Sequence, residues 1–131
     1  MPHRQRRGSR QEANMSRKIL IVDDDPAVVD FLNEVFTDNG YATEKAYNGV
    51  EGLEKAKAFR PDLITLDIDM PEKAGVMFFI GLRKDEVLKD TPVIVVSGVG
   101  PRPPALSRNI PVLQKPVDPA ALLALVEKTL A

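Results

Sequence analysis

The chain has no cysteine, so it can build no disulfide framework, no thiolate metal site and no cysteine nucleophile. Long apolar runs are missing too. Stretches such as "ILIV" and "VIVV" fall far short of the roughly 18 residues of a membrane span, so no spanning segment is expected. The single histidine, His3, stands in a polar N-terminal stretch and is not read as a catalytic base. What remains is 131 residues, 44% of them hydrophobic, with a formal net charge of −1. That is the size and balance of one soluble globular domain with a real core. These features fit a cytoplasmic protein.

The charge is unevenly distributed. Residues 1–14 hold Arg4, Arg6, Arg7 and Arg10 against the single acid Glu12, a net of +3, which leaves −4 for the rest. With few apolar residues and no period of either kind, residues 1–16 are expected to form a disordered basic arm. It reads as a leader upstream of a start at Met15. A contact with nucleic acid or an acidic partner is the other use of such an arm. It has no apolar segment of the kind a secretory signal needs.

Beyond Ser16 the pattern alternates. "KILIV" is the continuous β-branched run of a strand buried on both faces. "DPAVVDFLNEVFTDNG" then places Val28, Leu32, Val35 and Phe36 at helical spacing, with Pro26 near the start and Asn39-Gly40 as a stop. "YATEKAY" predicts a second strand and residues 50–59 a second helix, ended at Arg60-Pro61 because a residue before proline disfavours the helical region. "DLITLD", "PVIVVSG" and "IPVLQKP" supply strands three to five, with a helix over residues 75–83 after the third. The last helix, "DPAALLALVEKTL", has Asp118 as its cap and Pro119 in its first turn. Strict alternation implies an α/β fold with one parallel sheet covered on both faces.

In such sheets ligands bind at the C-terminal strand ends. Strand one delivers Asp23 and Asp24 there, strand three Asp67, strand four Ser97 and strand five Lys115. Three carboxylates in one pocket repel and raise at least one pKa unless a divalent cation neutralises them. Hard oxygen ligands with few carboxylates suit Mg²⁺, which also takes phosphate oxygens. Acids, metal, ammonium and hydroxyl together make a site for a phosphoryl group, with one aspartate as nucleophile. Asp67 is central and best placed for that role. Asp25 reads as a helix-start residue favoured by the dipole, outside the metal site. Pro71 and Gly75 read as backbone devices, and Met77, Phe78 and Phe79 as core.

The blocks "ILIVDDDP", "PDLITLDIDMPEKAG", "VIVVSG" and "LQKP", in this order over residues 17–131, resemble the signature blocks of the response regulator receiver domain. The resemblance implies a flavodoxin-like, doubly wound, five-stranded parallel sheet of order 2-1-3-4-5. It implies that Asp67 takes a phosphoryl group from a phosphohistidine on a sensor histidine kinase or a histidine phosphotransfer protein, in a two-component system or phosphorelay. It makes Asp24 a direct Mg²⁺ ligand, Asp23 one acting largely through water, and the backbone carbonyl of Asp69 a further ligand. Ser97 matches the family's hydroxyl position and Lys115, before Pro116, its lysine. The result is a phosphoryl-accepting switch rather than a conventional enzyme, with self-dephosphorylation open.

Several positions depart from the family pattern. Val112 stands where many receivers carry Tyr or Phe, which puts an aromatic switch in doubt. "GVGPRPPALSRN" has prolines at 101, 103 and 104, so the fourth helix, after strand four, is expected to be short or absent. Lys73-Ala74 replaces an acidic or amide residue and reads as neutral. Asp69 adds an acid two positions after the acceptor, where its side chain could repel a phosphoryl group or orient a hydrolytic water. No DNA-binding domain is expected with this receiver, so output is expected through contact with an unidentified downstream protein, through relay to another histidine, or through the arm. Two alternatives stay open: a pseudo-receiver that binds partners without phosphorylation, and an aspartyl-phosphate phosphatase of the haloacid-dehalogenase type, suggested by "DIDM".

Overall fold

The computed structural model describes residues 17–98 and 110–131. The basic arm and the segment expected to hold a shrunken fourth helix lie outside the described residues.

Strands β1 (Lys18–Val22), β2 (Ala42–Ala46), β3 (Leu63–Leu66), β4 (Val93–Ser97) and β5 (Val112–Gln114) form one parallel sheet of order β2-β1-β3-β4-β5. The helices of the described residues are α1 (Pro26–Asp38), α2 (Gly49–Phe59), α3 (Ala74–Lys84) and α4 (Pro119–Leu130). A 3-10 turn, Pro71–Lys73, precedes α3. Both the strand order and the alternation match the expectation.

Successive side chains of the central strands point to opposite faces, and each set finds its own helices. Leu20, Val22, Ile64, Leu66, Val93 and Val95 pack with Ala56 of α2 and with Phe78, Phe79 and Leu82 of α3. Ile19, Ile21, Leu63, Ile94 and Val96 pack with Val29, Leu32 and Phe36 of α1 and with Leu122 and Val126 of α4. Burial on both faces is why "ILIV" of β1 and "VIVV" of β4 read as unbroken apolar runs, with β3 broken only by the buried Thr65. Edge strand β2, "ATEKA", is covered less, and only Ala46 is fully buried.

The helix boundaries follow local chemistry. Asp25 and Asp118 cap α1 and α4 by accepting from the Ala27 and Ala121 amides at 3.0 Å, each ahead of a proline that lacks a donor to waste. Asn48 does the same for α2 through the Glu51 amide at 2.8 Å. Gly40, at φ 89, ends α1 in the conformation where glycine carries no Cβ penalty. Asp118→Ala is expected to cost ~1 kcal/mol of stability in urea denaturation, with the sheet unchanged.

Two details correct the sequence reading. Met77 is 63% exposed rather than core, because Phe78, Phe79 and Leu82 occupy the sheet-facing side of α3 and turn Met77 outward. In α1 the buried stripe is Val29, Leu32 and Phe36, so Val28 is only half-buried at its margin.

Candidate functional site

Four strand ends meet at the C-terminal edge. The Asp23 amide donates to the Ala46 carbonyl and the Asp67 amide to the Val22 carbonyl, which extends the ladder one residue past β1 and β3. Both carboxylates are thereby held at the rim yet are nearly buried, Asp23 at 1% and Asp67 at 3% exposure. Asp24 is exposed beside them. The Lys115 amide donates to the Ser97 carbonyl at 2.8 Å, which ties the lysine to the end of β4.

The side chains converge as the sequence indicated. One oxygen from each of Asp23, Asp24 and Asp67 lies within 4.8 Å of the others. Lys115 Nζ stands 3.0 Å from Asp23 Oδ2 and 3.5 Å from Asp67 Oδ2. Asp67 Oδ1 accepts the Asp69 amide at 2.8 Å, and Asp23 Oδ1 accepts the Asp25 amide at 3.0 Å. Asp25 is thus a helix cap, as expected, and its carboxylate is outside the cluster.

Ser97 is the exception. Its hydroxyl is buried at the end of β4, but it donates to Asp69 Oδ2 at 2.7 Å, and the Gly98 amide donates to the same oxygen at 2.9 Å. Asp69 therefore leans across to β4. Sequence reading left its direction open and missed the Gly98 amide, because a backbone donor carries no residue-type signal. The sequence alone marks Gly75 only as a backbone device in the loop. A Cβ on it would lie 2.5 Å from the Asp67 carbonyl oxygen, so α3 seats its first turn directly on the loop that carries Asp67.

Electrostatics follow from this packing. Burial raises the Asp67 carboxyl to about 6 and the Asp23 charge adds to the rise, while the Asp69 amide and the Lys115 ammonium oppose it. Burial works against the Lys115 charge, but the hydrogen bond and charge of Asp23, with those of Asp67, outweigh it and raise its pKa. The Ser97 hydroxyl and Gly98 amide hold Asp69 below the ordinary carboxylate range. Two adjoining buried acids and an exposed third, all hard oxygen donors, fit a small divalent cation such as Mg²⁺.

A stability prediction follows. Asp67 titrates higher in the fold than its ordinary 3.8, so its contribution is fully present below about pH 4 and is lost as pH rises through about 6. Asp69, shifted the other way, is ionised throughout that window and does not contribute to the change. In EDTA the part of the stability that Asp67 controls is therefore expected to fall between about pH 5 and pH 7.5. Added Mg²⁺ reverses the trend, since it binds the ionised site. Urea midpoints of wild type and Asp67→Asn at the two pH values check both signs.

The sheet order, the doubly covered core and the acidic pocket at its C-terminal edge define a doubly wound α/β domain with its site at the strand ends. The Response regulator receiver domain profile matches residues 19–127. Protein Rrf1 of Nitratidesulfovibrio vulgaris is 31% identical over 117 residues, 89% of this chain and 85% of the relative. The polar-differentiation response regulator DivK of Brucella anthropi is 35% identical over 83 residues, 63% of this chain and 68% of the relative. Among solved structures, the chemotaxis response regulator CheY4 of Vibrio cholerae superposes with TM-score 0.75 at 28% identity, covering 86% of this chain and 98% of that one. A CheY-like receiver domain protein of Methanospirillum hungatei gives 0.77 at 28% identity, covering 87% and 93%. The chain belongs to the response regulator receiver domain family, the signalling switches of two-component systems. No helix among the described residues is long and apolar enough to cross a membrane.

Proposed function

We propose that this receiver domain accepts a phosphoryl group on Asp67 from a phosphohistidine of a sensor histidine kinase or a histidine phosphotransfer protein. The observation that carries the reading is the placement of Asp67: buried at the end of central strand β3, between an acid pair on β1 and the Lys115 ammonium. Raised only to about 6, its carboxyl is largely ionised at neutral pH and can act as a nucleophile. The Asp67 oxygen–phosphorus bond forms as the phosphorus–nitrogen bond breaks, and the electron pair leaves with the imidazole, which takes up a proton. Lys115 offsets charge on the phosphoryl oxygens, and Ser97 offers its hydroxyl.

The carboxylates of Asp23, Asp24 and Asp67, with the backbone carbonyl of Asp69, would hold Mg²⁺. When bound, the ion neutralises the acids and the incoming phosphoryl charge. Ala27, Val28, Phe31, Pro116 and Val117 line a largely apolar recess together with Lys115, and a protein donor would rest there. Output follows a population shift, in which phosphorylation favours one of two conformations and a downstream protein distinguishes them. Val112 is exposed on β5, with no ring to swing inward, so the shift acts through other groups.

Intact mass after incubation with acetyl phosphate tests the reading. Gain of one phosphoryl mass with Mg²⁺ and none in EDTA is the expected result. Absence of any adduct, together with no beryllofluoride complex by NMR, would favour a receiver fold that binds partners without phosphorylation.

A further inference from the structure

The Asp69 carboxylate stands apart from the Asp23, Asp24 and Asp67 group. It crosses from the loop after β3 to the end of β4, where Oδ2 takes the Ser97 Oγ–H at 2.7 Å and the Gly98 N–H at 2.9 Å. Two donors converging on one anionic oxygen form the kind of subsite that receives an oxygen of a phosphoryl group. Neither donor is recruited from solvent. Ser97 is buried, and its carbonyl is tied to the Lys115 amide, so hydroxyl and amide are fixed beside the lysine that faces Asp67.

We propose that the Asp69 carboxylate is an internal occupant of the phosphoryl-oxygen subsite, holding the Ser97 hydroxyl and the Gly98 amide until a phosphoryl group on Asp67 displaces it. This rests on the reading of Asp67 as phosphoacceptor. A phosphoryl group there brings three anionic oxygens to an edge where two donors are already taken by a like-charged side chain. Asp69 is exposed, so its exit is toward water, at the loss of two charge-assisted hydrogen bonds. The apparent affinity for a phosphoryl group is then the intrinsic affinity multiplied by the fraction of molecules in which Asp69 has swung out. The backbone of Asp69 has a separate task, since its amide serves Asp67 Oδ1. Truncating the side chain therefore leaves the acceptor's own hydrogen bond in place, and Asp69 acts as a positioning residue that sets access.

Asp69→Ala and Asp69→Asn test this with two probes. Beryllofluoride bonds a carboxylate oxygen and presents three fluorines in place of phosphoryl oxygens. Acetyl phosphate forms the Asp67 oxygen–phosphorus bond as its phosphorus–oxygen bond breaks and acetate leaves. In Asp69→Ala, both beryllofluoride affinity and the rate of phosphoryl uptake are expected to rise roughly ten-fold. In the ligand-free protein the Gly98 amide proton resonance moves upfield as it loses its anionic partner. Asp69→Asn keeps an oxygen acceptor without the charge and falls between the two. Wild-type affinity and rate in Asp69→Ala, or an unmoved Gly98 amide, would overturn the proposal while leaving Asp67 as acceptor. Silence of wild type and Asp69→Ala toward both probes would remove the reading beneath it, and the occupant with it.

Discussion

Asp67→Asn is expected to reduce phosphoryl uptake by at least ~10³-fold while yielding a folded protein that, in EDTA at neutral pH, is more stable than the wild type. The carboxamide keeps the shape of the side chain and an oxygen to accept the Asp69 amide, a bond now at 2.8 Å. It removes the nucleophile, and with it one of two adjoining buried charges. The cost of ionising Asp67 in the fold, a rise to about 6 from 3.8, is relieved by the substitution. The expected gain is ~1–3 kcal/mol at pH 7, shrinking toward zero near pH 4, where the wild-type carboxyl is protonated. Loss of uptake together with loss of structure would mean that Asp67 is chiefly structural.

Gly75→Ala carries the second large effect. An added Cβ would meet the Asp67 carbonyl oxygen at 2.5 Å and the Ile68 Cα at 2.7 Å. Both are backbone atoms and cannot rotate away, so either α3 tilts or the loop bearing Asp67 shifts. Destabilisation of ~2–4 kcal/mol is expected, at the upper end for an overpacked site. Phosphoryl uptake should fall further than stability alone explains, because a misplacement of about 1 Å at a reacting atom can cost ~10²-fold. Gly81→Ala is the control on the same helix. Its Cβ would meet the Leu53 side chain at 3.2 Å, which can yield, and alanine is the better helix former. Urea denaturation and the uptake rate, measured on both variants, separate acceptor displacement from ordinary strain.

Much of this site was legible because it is written in residue types at the ends of apolar runs. "ILIV" must be buried on both faces, so the acids that follow can only stand at its rim; the same holds for Asp67 after "LITL" and Ser97 after "VIVV". Lys115 was legible only from its place after a short fifth strand, "VLQ", that is itself largely exposed, and Asp25 from its position one residue ahead of a helix-starting proline. Helix phase was less certain. Three apolar residues in a row, Met77 to Phe79, cannot all face the sheet, and periodicity alone did not say that Met77 is the one turned out. The direction of Asp69 was not legible at all. It depends on two donors brought across the edge by the fold, the Ser97 hydroxyl and the Gly98 amide. Neither is set by the chemistry of Asp69 itself.

Reduction of the phosphorylated chain with borohydride, followed by peptide mass analysis, tests the central claim most directly. An aspartyl phosphate is reduced to homoserine and so marks its own position. The account predicts a Mg²⁺-dependent mark at position 67 alone, in the peptide that contains "DLITLDIDM". A mark at 23, 24 or 69 instead, or a phosphoryl group that survives on serine or threonine, would contradict it.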